Sequence, residues 1–285
     1  MNVFARQALL NEATRNQWDL YQPHRDEISE ILNALGQRKP GGTMAVLGAG
    51  NGNDLDLQAW AKHYSKIHLF DFDPNALAFL EEKQLQEPAA KSKFAVEPAV
   101  DLSGIAKILS QLTAANSGSI TEPFVAELSN KARDPQTVLP GQQFDWVVSS
   151  CMLTQLLGSV LESFGDTSPW KNPMMIAVRD GHLKLMSRML KPNGVGLLIT
   201  DFVSSDTLPE LKQAETKEEV LQLSQQAIEQ KNFFTGTNPF SIKESLKKML
   251  VETPSRPWTI EPPWRWQIGA DRFYLATAIG FSKSF

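Results

Sequence analysis

The chain of 285 residues carries a single cysteine, Cys151, so it forms no disulfide within itself and lacks the paired cysteines of a common zinc site. It has no uninterrupted apolar run near the roughly twenty residues needed to cross a bilayer. The first residues, Met1-Asn2-Val3-Phe4-Ala5-Arg6-Gln7, reach Asn11, Glu12 and Arg15 too soon to form the apolar centre of a secretion signal. Positive charge is not in excess either. Lys and Arg number 28 against 32 Asp and Glu, a net charge of −4, which disfavours a broad phosphate-binding face and hence nucleic acid as a partner. Neither a fixed-period repeat nor a low-complexity segment is visible. These absences lead us to expect a cytoplasmic protein with no membrane partner and no metal. The length suffices for one α/β domain with insertions or for two small domains.

What the chain does have is concentrated in residues 44–54, Met-Ala-Val-Leu-Gly-Ala-Gly-Asn-Gly-Asn-Asp. An apolar run enters a turn with Gly48, Gly50 and Gly52, and an amphipathic segment with Leu55, Leu57 and Trp60 leaves it. Strand, glycine turn and helix together bring bare backbone and a helix N-terminus to one place, where a nucleoside cofactor can approach without meeting a Cβ. A second apolar run, Ile67-His68-Leu69-Phe70, ends at Asp71, and an acidic residue at the end of the second strand is where such folds hold ribose hydroxyls. A dinucleotide site requires Gly-x-Gly-x-x-Gly. Here the third glycine arrives one place early, which argues against a pyrophosphate.

Periodicity supplies the rest of the frame. Residues 3–35 read as helix and are stopped by Gly36 and Pro40-Gly41-Gly42. Strands are predicted at 43–48, 66–71, within 93–100, at 144–150 and at 195–200, with helices at 53–64 and from Pro74 between them. Ile105, Ile108, Leu109 and Leu112 mark a helix that Asn116-Ser117-Gly118-Ser119 ends, and residues 121–141 read as a surface insertion. A helix starts at Met152, another ends at Leu190, and Lys191-Pro192-Asn193-Gly194 is a turn before the fifth strand. Residues 208–251 are helical and charged, broken at Gly236–Pro239, and two strands close the chain. The expected fold is α/β: a doubly wound, seven-stranded, mostly parallel sheet with an antiparallel C-terminal strand. Its expected division is an N-terminal helical segment (1–42), a cofactor-binding domain (43–202 and 259–285) and a helical cap insertion (203–258).

Four of these stretches together resemble the class I S-adenosyl-L-methionine-dependent methyltransferases. Val46–Gly52 is similar to the family's first motif, and Leu69–Pro74 to the acidic end of its second strand. Phe144–Ser150 is similar to its fourth strand, and Leu190–Gly194 to the turn before its fifth. The chain differs where the family often has an acidic residue (here Gly48) and where it often has a glycine (here Asp54). A carboxylate at that second place is compatible with the positive end of a helix.

The resemblance implies S-adenosyl-L-methionine as cofactor and assigns roles by position. Gly48, Gly50 and Gly52 pass the methionine part, Ala49 and Asn53 belong to the same cofactor-binding turn, and Asp71 takes the ribose hydroxyls, as an acceptor-only carboxylate suits two O–H donors. Phe72 lines the adenine or belongs to the core. Asp101 and Leu102 meet the adenine amine and ring, and Ser150 and Cys151 border the transferred methyl. No neighbouring base or cation in the sequence favours Cys151 as a nucleophile. Tyr21 and Arg25, after Trp18, either fold over the cofactor's carboxylate or form a solvated face. His182 is a candidate base or a packing histidine.

The implied reaction is in-line transfer of methyl to an oxygen or nitrogen, ahead of carbon, of a small-molecule acceptor, where alignment does most of the work. Residues 203–258, with the aromatic stretch Phe233–Phe240, and the loop around Trp170 are the expected acceptor wall or, equally, packing under a helical cap. Two other classes stay open: a non-catalytic adenosyl-binding or partner-binding protein, and a methyltransferase acting on RNA or protein.

Overall fold

The structure is a computed structural model. It describes residues 2–38, 40–97, 99–112, 120–136, 141–250 and 258–283. The predicted helix break at Asn116–Ser119 lies outside them.

Four apolar runs form the parallel half of a sheet: β1 (Thr43–Leu47), β2 (Lys66–Phe70), β3 (Phe94–Glu97) and β4 (Phe144–Ser150). β5 (Leu190–Ser204) continues it in parallel, and β8 (Arg272–Ser282) runs antiparallel beside β5. β6 (Thr259–Ile260) and β7 (Trp264–Gly269) both pair with β8, giving the order β3-β2-β1-β4-β5-β8-β6. The sheet has eight strands rather than the expected seven because Pro262 and Pro263 separate β6 from β7, and proline has no N–H for a ladder. Leu47 pairs with Phe70 on one side and Ser149 on the other. The strand ends are therefore level, and Gly48, Asp71 and Ser150 emerge side by side.

Alternation along each strand feeds two cores. Ala45, Leu47, Val147 and Leu198 face a layer built from α8 (Leu153–Phe164), α9 (Lys171–Met189) and α11 (Pro239–Met249). Met44, Val46, Val148 and Leu197 face the opposite layer of α2 (Gln22–Arg38), α3 (Leu57–Trp60) and α4 (Pro74–Gln84). β5 and β8 continue past the sheet as a ribbon, which packs Phe202, Val203 and Leu275 against Leu211 and α10 (Lys217–Glu229). Among the described residues no helix is long and apolar enough to cross a membrane.

Several boundaries differ from those expected, each for a physical reason. The N-terminal helix is two helices, α1 (Val3–Thr14) and α2, because Pro23 at the start of α2 has no N–H to continue a helix, and Asn53 and Arg25 bond to the carbonyls of Thr14 and Trp18 in the connection. The helix after the glycine turn shrinks to α3, capped by the Asp56 side chain. Residues 122–133 are not a surface insertion: α7 (Glu122–Arg133) buries Val125, Leu128 and Ala132 beside α9. The Lys191–Gly194 turn is a bulge inside β5, with Asn193 at φ +62°. α10 and α11 enter different cores, so residues 208–250 straddle the end of the sheet.

Candidate functional site

The glycine turn is held from several sides. Gly48 N and Ala49 N both donate to Phe70 O, at 2.9 and 3.1 Å. Gly50 N donates to Asp71 Oδ2 at 2.8 Å, and Asp73 N to Asp71 Oδ1 at 2.8 Å. Burial pushes the Asp71 carboxyl up, and these N–H groups oppose the shift. Gly50 has φ +48°, and a Cβ there would meet only Asn11 Oδ1, at 3.7 Å, so this backbone is bare toward α1. Gly52, at φ +71°, is instead enclosed: a Cβ would lie 2.7 Å from Gln84 Nε2.

The start of α2 and the segment before it close the turn from above. Arg25 Nη1 donates to Asn53 O at 2.7 Å and to Trp18 O at 2.9 Å, with the guanidinium 3.6 Å over the Trp18 ring. Tyr21 is buried edge-on to Trp266 at 5.3 Å, and Trp266 meets Tyr274 at 5.9 Å. Burial, with Asp54 and other anionic neighbours behind it, raises the Tyr21 phenol, so it stays protonated. His24 Nδ1 accepts from Trp264 Nε1 at 2.8 Å, its ring stacks 4.1 Å from Trp266, and Nε2 faces Cys151 Sγ at 3.5 Å. Burial lowers the His24 pKa to about 3 and raises that of the Cys151 thiol.

His24, Asp54 and Cys151 place three ligand-type atoms within 4.8 Å of one another. The neutral imidazole already uses the Nδ1 lone pair on Trp264, so Nε2 carries the proton and has none to offer a metal. With a protonated thiol beside it, the cluster is a hydrogen-bonded one.

At the strand ends, Ser150 Oγ donates to Asp54 Oδ2, and Thr154 Oγ1 donates to Asp201 Oδ1 at 2.7 Å. Desolvation lifts both carboxyls to about 6. After β3, Asp101 gathers Ser103 N, Gly104 N and Ala106 N in a local loop, at 2.9, 3.1 and 2.9 Å. Phe72, Asp101, Leu102 and Met152 line a crevice beside α1, and Phe4 of α1 stacks on Phe72 at 4.6 Å.

Neither a protein-family model nor a curated protein matches the sequence. Solved structures do. The N-methyltransferase NodS from Bradyrhizobium japonicum WM9, in complex with S-adenosyl-L-homocysteine, is 13% identical, with 99% of each chain covered and a TM-score of 0.50. The fold is that of the class I methyltransferases. An O-methyltransferase family protein from Burkholderia thailandensis is 17% identical over 99% of this chain and 61% of that one, with a TM-score of 0.49.

Within the methyltransferase fold, the expected residues fall into three places. Tyr21, Arg25, Gly48, Ala49, Gly50, Asn53, Asp71, Ser150 and Cys151 gather around the level strand ends. Phe72, Asp101 and Leu102 line the crevice beside them, although Asp101 serves first as a loop former. His182 stands apart. Ser149 and Ser150 point to opposite faces of β4, and His182 Nε2 meets Ser149 Oγ at 2.8 Å on the α9 side. Its burial lowers the pKa to about 4, so the candidate base is a neutral core imidazole behind the sheet.

Periodicity missed Phe4, Gln7 and Asn11 on α1, and it missed Asp54 and Asp201 as a pair of carboxylates with raised pKa values. Asp201 had a signal, its place at the end of the fifth strand. The α1 residues had none, since their contacts are tertiary. A separate groove of about 1380 Å³ runs along the outer face between α2, α10 and β6–β7, past Asp145 and Asn193. It follows the sheet face and does not include the glycine turn.

Proposed function

We propose that the chain is an S-adenosyl-L-methionine-dependent methyltransferase acting on an oxygen or nitrogen atom of a small molecule. The observation that carries this reading is the bond from Gly50 N to Asp71 Oδ2, 2.8 Å long, which joins a bare-backbone turn to an acidic strand end. The residues present fit the cofactor. Gly50 leaves open backbone with no side chain beside the strand ends, and the Asp71 oxygens keep lone pair capacity for hydroxyls beyond the N–H groups they already accept. Arg25 spends Nη1 on two carbonyls and has further N–H groups to offer a carboxylate. The S-adenosyl-L-homocysteine bound to NodS supports the same choice.

When bound, the cofactor supplies a methyl group made electrophilic by its sulfonium. The chain's part is then orientation and proton removal. Tyr21, Trp266 and Tyr274 form an aromatic wall around the strand ends, which keeps water out and holds a partly apolar acceptor. With pKa values of about 6, Asp54 and Asp201 are ionised at neutral pH. In this reading Asp54 Oδ1 and Asp201 Oδ2, the oxygens not bonded to Ser150 and Thr154, take the acceptor's proton. They replace His182 in that role.

Titration calorimetry with S-adenosyl-L-methionine, followed by transfer of labelled methyl to a metabolite pool read by mass spectrometry, tests the reading. Absence of binding would remove it. Saturable binding with no label transferred would favour a non-catalytic adenosyl-binding protein.

A further inference from the structure

α1 is packed with its polar side inward. The two residues it buries are Gln7 and Asn11, while Leu9 and Leu10 are 55% and 39% exposed. A helix seated by the hydrophobic effect shows the reverse. Gln7 Nε2 donates to Gln155 Oε1 at 2.6 Å, and Asn11 Nδ2 to Asp73 Oδ2 at 2.9 Å. Asn51 Nδ2 donates to Asn11 O at 2.5 Å. Its apolar contacts are few: Phe4 stacks on Phe72, centroids 4.6 Å apart and planes 15° from parallel, and Val3 packs half-buried against the main core, while Arg6 pairs with Glu162 of α8.

These contacts fall on the elements that carry the proposed cofactor site: the glycine turn, the segment after Asp71 and the start of α8. Between α1 and Phe72, Leu102 and Met152 remains a crevice of about 30 Å³. That is roughly the share of one water molecule, far below a purine.

We propose that α1 is a displaceable occupant of the nucleoside slot, with Phe4 holding the face of Phe72 on which the cofactor's purine stacks. This rests on the cofactor reading above. Entry of the nucleoside swings α1 outward about the connection at residues 15–21 and exchanges one aromatic stack for another. The polar, shallow seating makes that exchange inexpensive, because little apolar surface is exposed when the helix leaves.

The probe is S-adenosyl-L-homocysteine, with calorimetry for affinity and stopped-flow fluorescence for association. Phe4→Ala removes the internal competitor, so binding tightens about two- to tenfold, the range of one aromatic stack, and association speeds up. Leu9→Ala, on the exposed side, leaves both unchanged. A Phe4→Ala protein that binds equally or more weakly overturns the proposal and leaves the cofactor reading standing. No binding by either the wild type or the variant overturns both. A second measurement uses the unaltered protein: trypsin cuts after Arg6 faster when the compound is bound, because α1 is released. Protection of that bond would overturn the proposal.

Discussion

The hydroxyl of Ser150, the last residue of β4, donates to Asp54 Oδ2 in the glycine turn. It ties the end of β4 to the turn that follows β1. Asp54 stands where class I sequences often have glycine, so this carboxylate adds to the family pattern. Its pKa of about 6 reflects desolvation, opposed by the Ser150 hydroxyl and by Arg25. Carbon NMR of the Asp54 carboxyl is expected to show titration near pH 6. In Ser150→Ala the titration moves upward by about one to two units, the worth of a hydrogen bond to a charged group. An unchanged midpoint would show that the hydroxyl does not hold the charge.

Two pairs of buried groups act on stability in opposite directions over the same pH range. Asp54 and Asp201 titrate near 6 in the folded chain, above the ordinary carboxyl value of 3.8. The stability they contribute is full below about pH 4 and is lost as pH rises through 6. His24 and His182 titrate at about 3 and about 4, below the ordinary 6.5. Their contribution is full above 6.5 and is lost as pH falls through those folded values. Asp201→Asn should therefore make the urea midpoint rise more steeply between pH 4 and 6, by up to about 1.4 kcal/mol per unit for a whole proton. His182→Gln should tilt it the other way. Parallel profiles would show that neither group is shifted.

Asp71 is a structural anchor, and under the proposed function it is a cofactor ligand as well. Asp71→Ala strands the N–H groups of Gly50 and Asp73, each now paired at 2.8 Å, at a cost of about 1–3 kcal/mol apiece. Urea unfolding should show that loss, and S-adenosyl-L-homocysteine affinity should fall at least about tenfold. Asp71→Asn keeps one acceptor oxygen and should lose less of both. Equal effects of the two variants would contradict the two-oxygen role.

The frame of the fold was legible because it is written locally. Buried β-branched and aromatic runs mark the strands, Asp73-Pro74 marks a helix start, and Gly48, Gly50 and Gly52 mark the turn. What escaped was set by contacts distant in sequence. The break between α1 and α2 has one local mark, Pro23 in the first turn of α2, which lacks an N–H and suits a helix start; the rest is held by Asn53 and Arg25 reaching back to Thr14 and Trp18. α7 was misread because Glu, Lys and Arg surround its Val125, Leu128 and Ala132, although their spacing is helical. In the candidate site, the glycines and Asp71 stood out by motif. Phe4 and Gln7 did not, since nothing in α1 itself announces what it covers.

The segment 208–250 is rooted in two hydrophobic cores. Leu246, fully buried, lies in the core that also holds α8 and α9, and Leu211 is fully buried in the cluster beneath α10. Leu246→Ala is expected to cost about 2–5 kcal/mol in urea unfolding. Phe240→Ala, at a side chain 57% exposed, should stay within about 0.5 kcal/mol. If the first variant kept full stability while altering only acceptor use, the segment would serve as an acceptor wall and not as part of the core.

Gly181, in the middle of α9, tests whether α7 is a structural layer. A Cβ there would sit 1.8 Å from Ala132 O and 2.8 Å from the Ala132 carbonyl carbon, so the backbones of α7 and α9 touch at this point. Neither atom is the end of a flexible side chain, and one helix must move for a methyl group to enter. Helix propensity alone would make Gly181→Ala favourable by about 1 kcal/mol. Overpacking costs about 1–3 kcal/mol or more and acts against it. The contact distance decides the sign: Gly181→Ala should destabilise, and hydrogen exchange should quicken in α7 as well as in α9. A stabilised variant with α7 amides unchanged would mean that α7 sits on the surface as an insertion.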